Sequence, residues 1–257
     1  MSLTRLILKK ALPLPKLTAF ERCLFISPHP DDIEIGAGAS VAKLAAKGKQ
    51  IAFLICTDGR YGTENLDEGL SSEALAERRR QEALASAAVL GVRDVRFLNL
   101  SDGGFYEEEA LLRGIAQAVS DFQPDILFAP DPAPSNEVHP DHLRTGRAAG
   151  QIACFAYNKG IMEQYGCRPA PVKALAYYMT ARPTGFIATT GLIRKQMAAV
   201  ACHHSQFPAG SAAFKDVETY LRLRAFENGL RSHHGTAEGF RVLGNAQMHV
   251  LSEFGES

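Results

Sequence analysis

Two short stretches of the sequence combine histidines with aspartates in a spacing that suits metal-assisted hydrolysis. The first reads HPDD over residues 29–32, and the second reads HPDH over residues 139–142. Imidazole nitrogens and carboxylate oxygens both bind zinc, and a catalytic zinc site needs three protein ligands with one position left for water. Together the two stretches supply enough ligands for such a site, with acids and bases left over for proton transfer.

His29, Asp32 and His142 are the candidate metal ligands. His29 and Asp32 are three residues apart at a turn from a strand into a helix, so both side chains can point in the same direction. His142 would then supply the third ligand from the second stretch. Two histidines and one carboxylate also suit Fe²⁺, so we predict Zn²⁺ with Fe²⁺ as the alternative.

The other polar residues of the two stretches are candidates for catalysis. Asp31 points in a different direction from Asp32, its neighbour in the chain, so it can act as a general base on water at the metal. His139 would stabilise an oxyanion or protonate a departing amine. Asp141, or another carboxylate, would hold the tautomer of that imidazole.

The elements that must position these residues follow an alternating pattern of short apolar runs and helical segments, which predicts an α/β fold. We expect a Rossmann-like, doubly wound and mostly parallel sheet in the order 3-2-1-4-5, with helices on both faces and a C-terminal extension. The predicted strands are 22–27, 50–57, 95–100, 125–130 and 172–179, and the predicted helices are 38–48, 73–91, 107–121, 143–157, 192–203 and 216–230. The HPDD and HPDH stretches follow strands one and four, so this order brings them together.

The whole-chain properties indicate a single domain over residues 1–257, with a core at about 20–180 and a C-terminal portion at about 181–257. The 28 basic and 28 acidic residues balance, which gives no global attraction to nucleic acid or to an anionic membrane surface. No stretch approaches the ~20 apolar residues of a membrane span. The five cysteines are scattered and odd in number, which is typical of reduced thiols in the cytoplasm.

These stretches resemble the LmbE-like (PIG-L type) metal-dependent N-deacetylases. The similarity covers most of the chain, in the segments HPDDIEIGAG, TDGRYG, ERRRQEALASAAVLGV, FLNLSDG, HPDHLRTGRAA and CHHSQF. The resemblance implies a Rossmann-like fold and hydrolysis of the acetamide of a GlcNAc unit to acetate and a free amine. The substrate would be a small molecule or glycoconjugate that carries an N-acetyl amino sugar.

The resemblance also implies roles for individual residues. It gives the same three metal ligands, Asp31 as base, and His139 with Asp141 beside it. It adds Arg60, in the loop after the second strand, and His203, in CHHSQF, as substrate contacts. Glu34 stands one residue later than the acid of the commoner HPDDE pattern. Because members of the family are often oligomeric, a homo-oligomer is possible.

A nucleotide-binding oxidoreductase of the Rossmann type is the main alternative. Gly36 and Gly38 form G-x-G, and Asp58 lies 20 residues after Gly38, where a dinucleotide fold keeps its ribose-binding acid. Against this, Val41 replaces the third glycine of the fingerprint, and the glycines begin nine residues after Ser27. We therefore expect these glycines to let the chain turn tightly into the first helix.

Simpler structural interpretations exist for each motif. Asp31 or Asp32 could only cap a helix that begins near Gly36, and Asp141 could do the same after the fourth strand. A helix cap needs only one acid, whereas each of the two turns supplies three residues that can ligate a metal or transfer a proton. ERRRQE (77–82) is typical of an exposed helix face, with pairs such as Arg78 and Glu82. A sugar-binding protein without catalysis is the last alternative, although every candidate catalytic residue is present.

Overall fold

The computed structural model describes residues 7–8, 10–62 and 69–249, which form a seven-stranded sheet with helices on both sides. The strands are β1 (Arg22–Ser27), β2 (Gln50–Thr57), β3 (Asp94–Leu100), β4 (Ile126–Pro130), β5 (Ala174–Tyr178), β6 (Gly185–Ala188) and β7 (Ala237–Gly244). Their order in the sheet is β3-β2-β1-β4-β5-β7-β6. The first five strands pair in parallel, so the predicted fold class and the predicted order 3-2-1-4-5 are confirmed.

Helices fill most of the connections between these strands. They are α1 (Asp32–Ala46), α2 (Ser72–Leu90), α3 (Glu108–Phe122), α4 (Pro140–Phe155), α5 (Lys159–Gln164), α6 (Ile193–Val200), α7 (Ala212–Ser232) and α8 (Asn245–Met248), with a short 3₁₀ helix at Leu17–Ala19. None of the helices within the described ranges is long and apolar enough to span a bilayer. Residues 63–68, between β2 and α2 in the sequence, lie outside the described residues.

Two apolar cores cover the two faces of the sheet, and β1 contributes to both because alternate side chains of a strand point to opposite faces. Leu24 and Ile26 pack in the core beneath α3 and α4. Phe25 packs in the other core, beneath α1 and α2, where its ring stacks on Phe128 of β4 with centroids 4.1 Å apart. A strand buried on both faces requires an apolar sequence without alternation, which β1 has.

The chain switches direction between β1 and β4, and this switch creates the crevice that holds the polar stretches. β1 pairs with β2 on one side and with β4 on the other. The chain leaves β1 into α1 on one face and leaves β4 into α4 on the opposite face. The first turns of these two helices therefore meet at the carboxyl edge of the sheet, which is where ligands bind in open α/β folds.

Both helices begin earlier than the sequence indicated, which corrects two predictions. α1 starts at Asp32 and α4 starts at Pro140, whereas the predicted starts were near residues 36–38 and at residue 143. Proline fits the first position of a helix because its fixed φ is already helical and its missing N–H has no partner to lose. His142 and the acids around it consequently sit in first helical turns.

Gly36 and Gly38 lie inside α1, so the prediction that they form a tight turn is wrong. Each glycine instead allows a close approach. A side chain at Gly36 would overlap the ring of Tyr178, and one at Gly38 would lie 3.0 Å from the Cγ atom of Gln196. The glycine-rich segment is therefore packed against other parts of the protein, and its backbone is not open to a nucleotide pyrophosphate.

The C-terminal portion continues the same sheet with two antiparallel strands that the sequence did not predict. β7 pairs with β5 and with β6. β7 carries Glu238 and Arg241, whose charges obscured its strand pattern. Glu238 is buried and accepts hydrogen bonds from the N–H groups of Ala39 and Ser40 in α1, while Arg241 pairs with Asp131. These polar contacts join the C-terminal strands to the core.

The contact between α1 and β5 predicts that Gly36→Ala destabilises the protein. Tyr178 is fully buried and its hydroxyl donates to the carbonyl of Ile26 at 2.8 Å, so the ring cannot move aside. We expect the free energy of unfolding to fall by about 2 kcal/mol in denaturant titrations. Gly160→Ala is the matched control, because its nearest neighbour is 3.6 Å away and we expect no loss. Equal stability of Gly36→Ala and the wild type would contradict this account.

Candidate active site

The structure brings the HPDD and HPDH stretches together at the carboxyl ends of β1 and β4. The ring centroids of His29 and His139 are 4.7 Å apart, those of His29 and His142 are 5.3 Å apart, and those of His139 and His142 are 5.1 Å apart. His29 is more than a hundred positions from the other two histidines in the sequence, so the fold brings it to them.

Asp32 lies between two of these histidines in an arrangement that can hold a metal ion. Its Oδ2 atom is 3.1 Å from Nδ1 of His29, and its Oδ1 atom is 3.5 Å from Nε2 of His142. One ligand atom from each of these three residues lies within 4.8 Å of the others. Two nitrogens and one carboxylate oxygen form a donor set that zinc accepts, so the residues fit a metal. His29, His139 and Asp141 form a second, overlapping group of this kind.

The electrostatics of the cluster favour a positive charge at its centre. Burial alone would lower the pKa of His29, but its hydrogen bonds with Asp141 and Asp32 outweigh that effect and raise the pKa to about 10. Burial would likewise raise the pKa of Asp32, yet the neighbouring His142 and His29 hold it well below its usual range. Ionised carboxylates concentrated in a buried pocket are stabilised by a cation, which either a proton or a metal can supply.

Glu137 is a site residue that sequence reasoning missed. Its Oε2 atom is 3.1 Å from Nδ1 of His142, the ring nitrogen farther from Asp32, and its Oε1 atom accepts the backbone N–H of His139 at 2.8 Å. A carboxylate behind a metal-binding imidazole fixes the orientation of the ring. The signal available in the sequence was an acid two residues before HPDH.

His139 caps the start of α4. Its Nδ1 atom accepts the backbone N–H of Asp141 at 3.3 Å, so a neutral ring carries its proton on Nε2. The carboxylate of Asp141 is farther away, with Oδ2 at 3.8 Å from the same Nδ1 atom. Burial, together with the nearby His29 and His142, lowers the pKa of His139. The ring is thus a neutral donor through Nε2, and a backbone amide fixes its tautomer.

Asp141 is fully buried and joins three parts of the site. Its Oδ2 atom accepts the N–H of Gly103 at 2.7 Å and lies 3.1 Å from Nε2 of His29, while its Oδ1 atom accepts the N–H of Gly104 at 2.9 Å. Burial would raise its pKa, but the bonds from His29 and Gly103 hold it below the usual range. Asp141 therefore orients His29 and fixes the loop between β3 and α3, and the interpretation of Asp141 as a helix cap is wrong because His139 caps α4.

Asp31 occupies the N-cap position of α1 but makes no capping hydrogen bond. Its carboxylate is turned toward Arg79 of α2, which donates from Nη2 to Oδ1 at 3.0 Å and from Nη1 to the carbonyl of Gly59 at 3.1 Å. Arg79 is only 4% exposed. The interpretation of Asp31 as a helix cap is therefore wrong, and the structure adds an arginine that the sequence did not identify.

The segment ERRRQE is exposed only in part, which corrects another prediction: Glu77, Arg78 and Gln81 are exposed, whereas Arg79 and Glu82 are buried. Glu82, expected to pair with Arg78, is buried and accepts both the backbone N–H and the hydroxyl of Ser205, at 2.9 and 2.6 Å. Arg79 and Glu82 face inward because they are three residues apart on one side of α2. The hydrophobic pattern of α2 gave no sign of this, since both buried residues are charged.

His203 has no exposed surface and lies beside Glu34, with Nε2 at 3.7 Å from Oε1. Glu34 is equally buried and accepts the hydroxyl of Ser86 at 2.6 Å. These contacts hold the CHHSQF segment against α1 and α2. The role of His203 as a substrate contact stays a prediction, because in this structure its neighbours are other buried side chains.

Arg60 does not belong to the histidine and aspartate cluster but lies near it. Its guanidinium donates from Nε and Nη2 to Oδ2 of Asp58, at 2.9 and 2.6 Å. Arg60 also lines a cavity of about 170 Å³ that reaches Pro30 of the HPDD stretch. This cavity adjoins the candidate active site, and its role as a substrate pocket stays a prediction.

Comparisons with known proteins point to one family. The sequence profile described as PIG-L, GlcNAc-PI de-N-acetylase, matches residues 24–153. The diacetylchitobiose deacetylase of Thermococcus kodakarensis is 32% identical over 90% of this chain and 86% of that protein. A 1D-myo-inositol 2-acetamido-2-deoxy-alpha-D-glucopyranoside deacetylase of Kineococcus radiotolerans is 33% identical over 61% of this chain and 51% of that protein. The structure of N,N'-diacetylchitobiose deacetylase from Pyrococcus horikoshii superposes with a TM-score of 0.86, at 30% identity over 97% of this chain and 96% of that chain.

The burial of Arg79 predicts a large loss of stability when its charge is removed. Arg79→Met would leave Asp31 as an unpaired carboxylate in a largely buried position. We expect the free energy of unfolding to fall by roughly 3 kcal/mol. Arg78→Met, at the exposed neighbouring position, should change it by no more than about 0.5 kcal/mol. Denaturant unfolding of both variants measures the difference, and similar values for the two would show that the ion pair has no such role.

Proposed function

The chain belongs to the PIG-L family of GlcNAc-PI de-N-acetylases, and on that premise we propose that it is a metal-dependent hydrolase that removes the N-acetyl group from a GlcNAc-containing substrate. The products would be acetate and a free amine. The observation that carries this proposal is the meeting of His29, Asp32 and His142 in one cluster, with Asp31 and His139 beside it. The two relatives named above act on different glycosides, and both names contain an acetylated amino sugar.

We propose Zn²⁺ as the metal, held by His29, Asp32 and His142, with Fe²⁺ as the alternative. Two imidazole nitrogens and one carboxylate oxygen suit both ions. When bound, the metal would supply a Lewis acid that polarises the amide carbonyl and lowers the pKa of water from 15.7 to ~7. Glu137 would hold the ring of His142, and Asp141 would hold the ring of His29, so both ligands are oriented before the metal arrives.

Asp31 is the proposed general base. Arg79 engages its Oδ1 atom, so Oδ2 is the oxygen that would accept the proton of the attacking water. The ion pair fixes the carboxylate in one position, so less entropy is lost when the base is oriented toward the attacking water. As the C–N bond breaks, the same proton would pass from Asp31 to the departing amine nitrogen, and Asp31 returns to its ionised form.

His139 is the proposed stabiliser of the oxyanion. The backbone N–H of Asp141 occupies its Nδ1 atom, so the Nε2–H group is the donor available to the substrate. The carbonyl oxygen of an acetamide gains negative charge when water adds to the carbon. A hydrogen bond that strengthens as this charge develops accelerates the reaction.

The geometry of α1 argues against the nucleotide-binding alternative. Gly36 and Gly38 contact Tyr178 and Gln196 inside the helix, and a dinucleotide fold needs its glycines in the turn before the helix. A sugar-binding protein without catalysis would use the same crevice. A hydrolase and a binding protein are distinguished by acetate release from acetamido sugars.

The metal proposal predicts about one metal ion per chain and loss of deacetylation when that ion is chelated. His142→Ala should reduce the bound metal, because two ligands hold a dication less well than three. His234→Ala is the matched control, since His234 is exposed and distant in the sequence from both stretches. Elemental analysis and acetate release measure the two effects. Full activity in a metal-free sample would contradict the proposal.

Asp31→Asn tests the base. Asparagine keeps the size of the side chain but cannot take up a proton, so we expect acetate release to fall at least ~10²-fold. Metal content should remain near that of the wild type, because Asp31 is not among the proposed ligands. Asp216→Asn, at an exposed position of α7, should leave turnover unchanged. If Asp31→Asn turns over at nearly the wild-type rate, another group takes the proton.

A further inference from the structure

Three large apolar side chains are exposed on loops around the candidate active site. Tyr61 follows β2 and is 54% exposed, Phe105 follows β3 and is 73% exposed, and Val138 follows β4 and is 79% exposed. All three loops lie at the carboxyl edge of the parallel strands, and Val138 directly precedes His139. Apolar side chains exposed around a polar crevice are typical of ligand-binding rims.

Phe105 is presented by a rigid turn. Gly103 and Gly104 both adopt positive φ, at 76° and 80°, and both donate their N–H groups to the buried carboxylate of Asp141. A Cβ atom at position 103 would lie 3.1 Å from the Phe105 ring, so glycine at this position leaves room for the ring. The turn is therefore bonded to a residue of the candidate active site. The Phe105 ring remains exposed to water, although exposing an apolar ring costs free energy.

Tyr61 is held in a similar way and meets Phe105. Its backbone N–H lies 3.3 Å from each carboxylate oxygen of Asp102, a buried residue at the start of the loop that carries Phe105. The rings of Tyr61 and Phe105 contact edge to face, with centroids 6.0 Å apart and planes at 81°. Two loops therefore combine to build one aromatic pair beside the crevice.

We propose that Tyr61 and Phe105 form a subsite for a second pyranose ring, the one linked to the N-acetylglucosamine whose acetamide lies in the cluster. This inference rests on the proposed function. The C–H groups on the face of a pyranose carry a partial positive charge, and the face of an aromatic ring is negative, so the two surfaces attract. The exposed rings of Phe105 and Tyr61 can stack on the C–H face of a sugar, and Val138 adds a third apolar side chain to the rim.

Two substrates test the subsite by turnover. N,N'-diacetylchitobiose has the second ring, and N-acetylglucosamine lacks it. Phe105→Ala should lower kcat/KM for the disaccharide about 5- to 10-fold, mainly through KM, because binding energy shared by ground and transition states appears in KM. The same variant should change kcat/KM for the monosaccharide less than about twofold. Phe105→Tyr, which keeps the ring, should restore the value for the disaccharide.

Tyr157→Ala is the matched control. Tyr157 is 68% exposed and follows the far end of α4, away from the carboxyl edge of the sheet, so neither substrate should be affected. Unchanged thermal unfolding midpoints show that the variants are folded. Equal losses for the two substrates in Phe105→Ala, or no loss for either, would overturn the subsite.

Binding without turnover separates the subsite from the proposed function. In the Asp31→Asn background, titration calorimetry with N,N'-diacetylchitobiose should show a Kd that rises about 5- to 10-fold when Phe105→Ala is added. The same Kd in both proteins, or no binding to either, overturns the subsite. If the metal-loaded wild type binds the disaccharide through Phe105 but releases no acetate, the proposed function fails and the subsite stands.

Discussion

The fully buried carboxylate of Asp141 is the interaction on which the site depends. An ionised carboxylate without partners is far too costly to bury, so its position is stable only because three groups surround it. Two of these are N–H groups of the loop after β3, and the third is the imidazole of His29 after β1. Asp141 itself follows β4. The energetic requirement of one side chain therefore fixes three strand ends relative to one another.

Buried charges also need partners near the start of α1 and along α2. Asp31 is paired with Arg79, and Glu82 accepts two hydrogen bonds from Ser205. Because Arg79 and Glu82 lie on one side of α2, that helix connects the active-site turn to the segment after α6. The C-terminal portion thus supports the site, and none of its residues up to 249 belongs to the histidine cluster.

The sequence predicted the strand order and the meeting of the two polar stretches, because both depend on local apolar runs and on the general topology of parallel sheets. It placed the starts of α1 and α4 too late, since glycine and proline usually mark ends and turns. Arg79 and Glu82 were assigned to an exposed face because charge normally indicates solvent. β7 was missed for a similar reason, as Glu238 and Arg241 interrupt its apolar pattern. The last two errors concern polar contacts of buried residues between distant segments, which no local pattern encodes.

The early helix starts have a consequence for the chemistry. Asp32 and Asp141 both stand within the first turn of a helix, where the N-terminal dipole stabilises negative charge. The carboxylates can therefore remain ionised close together, as a cation site requires. Because Asp141 belongs to a helix start and also binds the loop after β3, the exposed aromatic residue of that loop keeps a fixed position relative to the histidine cluster.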